Sequence, residues 1–97
     1  MLTIAQLEIY KKYNGDQDAL SRCGTQEEKK ILNDSDFRRL DKFISDLSLD
    51  YQGLASENFI SNLEQELKNS CRDREVVEEL RKVAKEFFYI KVISKNR

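Results

Sequence analysis

Histidine, proline and tryptophan are absent from this chain of 97 residues, and glycine and cysteine occur only three and two times. Without histidine there is no imidazole general base, no Ser–His–Asp or Cys–His pair, and no zinc site with a histidine ligand. Cys23 and Cys71 are too few for a four-cysteine zinc site and too far apart for a C-x-x-C redox pair. One disulfide between them is arithmetically open. A single bridge in a chain with no secretory leader is uncommon, however, and two reduced, partly buried thiols are the expectation. Long apolar runs are missing too. The longest, Phe87 to Ile93, is interrupted by Lys91, whereas a membrane-spanning helix needs about 20 apolar residues. The start, MLTIAQLEIYKKY, has no basic leader and carries Gln6 and Glu8 inside its apolar stretch. These absences predict a cytoplasmic protein with no cofactor and no membrane partner.

An excess of either charge is also lacking. Seventeen basic residues face eighteen acidic ones, for a net charge of −1. Only residues 81–97 are distinctly basic, with Arg81, Lys82, Lys85, Lys91, Lys95 and Arg97 against Glu86. Dedicated nucleic-acid binders usually present a basic face, so that partner class is open but not favoured.

What remains is the composition of a helical protein: 36% charged residues and no proline. Leu, Ile, Val and Phe make up more than a quarter of the chain, above the roughly 20% below which chains tend to stay disordered. The first helix is predicted over about 4–13. Thr3 and Gln6 form a capping box, Ile4, Leu7 and Tyr10 recur at helical spacing, and Asn14-Gly15 supplies a stop. Asp16 opens a short helix over about 17–23 that Gly24 ends. Thr25 and Glu28 form a second capping box, which opens a turn through about Leu32.

The clearest element follows the stretch Asn33 to Asp36. Phe37, Leu40, Ile44, Leu47 and Tyr51 recur at intervals of 3, 4, 3 and 4, a helix-packing seam that Phe43 widens and Gly53 closes. Ser56 caps the next helix, whose stripe is Phe59, Ile60, Leu63 and Leu67. Asp73 caps the last, with Val76, Val77, Leu80, Val83, Ala84 and Phe87 on one side. Short linkers should make consecutive helices antiparallel. The prediction is an all-α, small single-domain helical bundle spanning residues 1–97. It has an antiparallel three-helix core (about 36–52, 57–70 and 74–92), the N-terminal helix and short helical turns. Residues 87–93 are rich in aromatic and β-branched side chains, which suit strands, but no comparable strand exists to pair with them. They are read as the end of the last helix, apolar nearly all round.

Several residue groups invite a chemical reading. Asn14-Gly15-Asp16-Gln17-Asp18 has the content of a calcium loop's opening, but neither register places Gly at position 6 and Glu at position 12, so a turn and N-cap are expected. Asp34 and Asp36 are expected as helix N-terminal acids rather than a cation pair. Glu64, Glu66, Glu75, Glu78 and Glu79 lack the histidines of a di-metal centre. The pairs Glu8–Lys12, Glu64–Lys68 and Glu78–Lys82 have the favourable i,i+4 orientation. Tyr10-Lys11-Lys12-Tyr13 interleaves aromatic and basic residues, yet both tyrosines fall on one side of a helix and read as core or subunit contacts. Residues 4–13 and 17–23 have the outline of a helix-turn-helix, but the second helix carries only Arg22 as a cation.

The expected function is therefore a small non-enzymatic interaction or regulatory protein. It presents a helical surface to a protein partner or to its own copy as a homodimer. The alternative is a nucleic-acid-binding regulator acting through residues 4–23 or the basic end. The expected contact residues are Phe87, Phe88, Tyr89, Ile90 and Val92. Leaving such a run in water costs about 25 cal/mol per Å2 of apolar area, which for several side chains rivals the net stability of a small domain.

Overall fold

A computed structural model describes the backbone of residues 1–71 and 73–95 and the side chains of residues 1–71 and 73–86. The chain is all-α. Among the described residues six helices follow in order: α1 (Ile4–Lys12), α2 (Gln17–Cys23), α3 (Gln26–Ile31), α4 (Asp34–Tyr51), α5 (Glu57–Ser70) and α6 (Arg74–Lys95). Local chemistry accounts for most of their ends. Thr3 and Gln6 cap α1 reciprocally, as Thr25 and Glu28 cap α3. Asp16 accepts from the amides of Asp18 and Ala19 at the start of α2. Ser56 accepts from the Phe59 amide at the start of α5. Asn33 accepts from the Asp36 amide at 2.8 Å, so α4 begins at Asp34, two residues before the predicted start. It stops before Gly53, whose φ of 71° is left-handed and suits a residue without a side chain.

The predicted seam of α4 is buried from Phe37 through Leu40, Phe43, Ile44 and Leu47, with Tyr51 half-buried at its end. Its main neighbour is α6, which supplies Val76, Leu80, Val83 and Ala84. Two polar contacts fix this pairing. The Ser48 hydroxyl reaches the Ala84 carbonyl at 3.4 Å, and the Tyr51 hydroxyl reaches the Arg81 carbonyl at 3.5 Å. The backbone of residues 87–93 continues α6 as helix, through to Lys95.

The predicted division of labour needs correction. The core is not confined to the last three helices. Leu2, Leu7, Ile9, Tyr10, Leu20 and Leu32 are buried in it, and α1 is the second most extensive neighbour of α6. In contrast α5 contributes only Leu63 and Leu67, with Phe59 and Ile60 half-buried. A stripe of two buried leucines cannot hold a helix against two neighbours at once, so α5 lies only lightly on α4 and α6. The N-terminal segment closes the arrangement. The Leu2 amide donates to the Ser70 carbonyl at 2.9 Å, forming an isolated parallel bridge at Leu2 and Cys71.

Candidate functional site

The light packing of α5 opens a surface on each side of it. Between α5 and α6 runs a groove of about 750 Å3. Leu67 and Cys71 are buried at its base and Val77 is half-buried on its wall, with Glu64, Lys68, Arg74, Glu78 and Arg81 along the rim. One ion pair spans the rim, Arg81 Nη2 to Glu64 Oε1 at 3.4 Å. Both partners are solvated, so it contributes little stability and can open without large cost. Burial pushes the Cys71 thiol up, leaving it protonated and a weak nucleophile at neutral pH. The groove therefore has an apolar floor and charges of both signs along its rim.

On the opposite face of α5, against α4, lies a smaller cleft of about 470 Å3, lined by Arg38, Arg39, Lys42, Glu66, Asn69 and Ser70 together with the buried Phe43. Lys42 Nζ is 3.5 Å from Glu66 Oε2.

The remaining polar side chains act as clips between elements. Buried Gln6 does more than cap α1. Its Nε2 donates to the Ile31 carbonyl at 3.0 Å and to Asp36 Oδ2 at 2.7 Å, joining α1 to the end of α3 and the start of α4. The buried Tyr10 donates its hydroxyl to Asp41 Oδ1 at 2.7 Å while its ring packs on Phe37, centroids 5.0 Å apart. Burial and the Asp41 carboxylate both push the Tyr10 phenol up. Glu28 accepts from Lys12 at 2.8 Å, Tyr13 at 2.7 Å and the Thr25 amide at 3.0 Å. Those donors, Lys12 foremost, hold its carboxyl down at about 2.

Measured against the sequence, the candidate sites sort as follows. Asp16 is the N-cap of α2, preceded by Asn14 and Gly15 in left-handed geometry. Asp36 accepts from Gln6 and Asp34 from Gln17. Tyr10 is core, and Tyr13 is half-buried beside α3. In the outline of a helix-turn-helix, α2 turns Leu20 into the core and ties Gln17 to Asp34. The three predicted i,i+4 pairs are replaced: Lys12 takes Glu28, Glu64 takes Arg81, and Lys82 takes Glu79 at i,i+3. The first two are tertiary partners, brought closer by packing than the local partner. Both cysteines are free; Cys71 is buried, but Cys23 is exposed rather than partly buried. The expected contact residues Phe87, Phe88, Tyr89, Ile90 and Val92 lie outside the described side chains, on the same helix that walls the groove. Among the described residues no three His, Cys, Asp or Glu side chains gather as metal ligands would, and no helix is long and apolar enough to cross a membrane. The groove and the cleft were missed from sequence; the weak apolar stripe of α5 was the available signal.

Comparison of the chain with protein-family models, with curated proteins and with solved structures finds no match in any of the three.

Proposed function

We propose that this chain is a small non-enzymatic interaction or regulatory protein whose α5–α6 groove receives an apolar-faced segment of a protein partner or of a second copy. The observation that carries this reading is the groove itself. Two helices that touch only lightly leave Leu67, Cys71 and Val77 beneath a charged rim, the arrangement by which helical grooves take amphipathic segments. Molecular shape supports it. The molecule measures 40 × 38 × 19 Å, about two helix diameters thick.

The test is affinity capture with the tagged chain, with and without nuclease, comparing wild type with Val77→Asp and with the rim variant Lys68→Glu. The expected result is a stoichiometric protein that survives nuclease and is lost with the variants while their circular dichroism is unchanged. Retention by both variants would remove the groove from the interface. A partner lost on nuclease treatment would replace this reading with nucleic-acid binding. Sedimentation of the purified chain separates a second copy from a foreign partner.

A further inference from the structure

We propose that the cleft between α4 and α5 is a second docking site, one that takes an acidic peptide segment of a protein partner through Arg38 and Arg39. Arg38, Arg39 and Lys42 stand on the exposed side of α4 and face the last turn of α5 across about 470 Å3 of open space. Lys42 is engaged by Glu66. Neither arginine has an ion-pair or hydrogen-bond partner among the described residues. Guanidinium forks bind carboxylates in bidentate, charge-assisted geometry. The side chains of Asn69 and Ser70 add hydrogen-bonding groups on the opposite wall.

The site is held in advance of any ligand. On α4, Phe37, Leu40, Phe43, Ile44 and Leu47 are all buried, so the helix carrying the arginines is anchored, and less ordering is needed on binding. The cationic strip is also short. Beyond Lys42 come Glu66 and the half-buried Asp46, whose carboxyl is pushed up by burial and by Glu66 against the pull of Lys42. Each strand of a nucleic-acid duplex repeats its charge about every 3.4 Å along the axis and would run onto these acids. A peptide can place one or two carboxylates on the arginines and stop. The cleft and the groove use opposite faces of α5, so neither proposal depends on the other.

The probe is a fluorescein-labelled peptide of alternating glutamate and glycine, followed by anisotropy at low ionic strength. The pair of variants R38E/R39E and K29E/K30E change the net charge identically. The second pair lies on α3, exposed and away from the cleft. The expected result is binding by wild type and K29E/K30E alike, at least about tenfold weaker binding by R38E/R39E, which removes both guanidinium contacts (tenfold is about 1.4 kcal/mol), and weakening with salt. Val77→Asp should leave this binding unchanged. R38Q/R39Q, which adds no repulsion, should also weaken it if the chain stays helical. No binding by wild type, equal weakening by both reversal pairs, or tighter binding of an oligothymidylate than of the peptide would each overturn the proposal, the last in favour of nucleic acid.

Discussion

Gln6 shows how one side chain can hold three elements. Its oxygen accepts from the Thr3 amide at 3.0 Å, and its nitrogen is shared between α3 and α4. Truncation removes three hydrogen bonds whose partners, at Thr3, Ile31 and Asp36, are exposed or half-buried; at about 0.5–1.5 kcal/mol net for each, the combined loss is about 1–3 kcal/mol. Gln6→Ala should therefore lower the urea midpoint at an unchanged slope, corresponding to a stability loss in that range; a loss under about 0.5 kcal/mol would show that water replaces these bonds freely. Gly24 makes the opposite point, that space rather than a bond can specify a residue. Its φ of −71° is open to any residue, so left-handed geometry is not why glycine stands here. A Cβ at this position would run into the carbonyl oxygen of Leu20 and lie 2.8 Å from its Cδ1. Gly24→Ala should destabilise by about 1–3 kcal/mol, the cost of overpacking, and thermal unfolding would detect it.

Among the elements, α3 is the one tied down by charge, because no residue of it is buried. Besides the Gln6–Ile31 hydrogen bond, its link to α1 is Glu28, held by Lys12, Tyr13 and its own cap. A carboxyl depressed on folding adds stability above its unfolded value near 4.5, and that stability is lost as pH falls towards about 2. Acid titration should loosen α3 across this window, and Glu28→Gln should flatten the dependence; an identical acid profile in the variant would assign the transition to other carboxylates. The reverse weakness belongs to α5, long but with only two buried residues. Local opening follows buried contact. Amide exchange in α5 should be faster than in α4 and in residues 76–84 of α6, and equal protection would mean that α5 is more firmly packed than its burial indicates.

For the whole molecule, thickness is the governing quantity. A slab two helices thick has little interior beyond one shared layer, so leucines from α1, α2, α4, α5 and α6 meet in a single cluster. The radius of gyration, 13.5 Å, exceeds the roughly 12.5 Å of a typical domain of this length. Small-angle scattering at low concentration should return a value near 13.5 Å. A markedly smaller value would mean that the groove and the cleft close in solution, which would undercut both proposed docking surfaces.

What the sequence determined by itself was local. Thr3–Gln6 and Thr25–Glu28 specify helix starts within one turn. The range 57–70 follows from Ser56 and the apolar repeat, and the buried face of α4 follows from five residues at helical spacing. Caps and periodicity act over a few residues, so they can be read without knowing the fold. Tertiary structure alone decided which stripes pair. It set α4 chiefly against α6, drew α1 and Leu2 into the core, and left α5 with an open surface on each side. It also replaced two local ion pairs by distant ones. The physical reason is that apolar burial is non-directional. Several helix pairings satisfy the same stripes, and the choice among them rests on side-chain fit and on which polar groups can be joined across the contact, as Gln6 joins three helices.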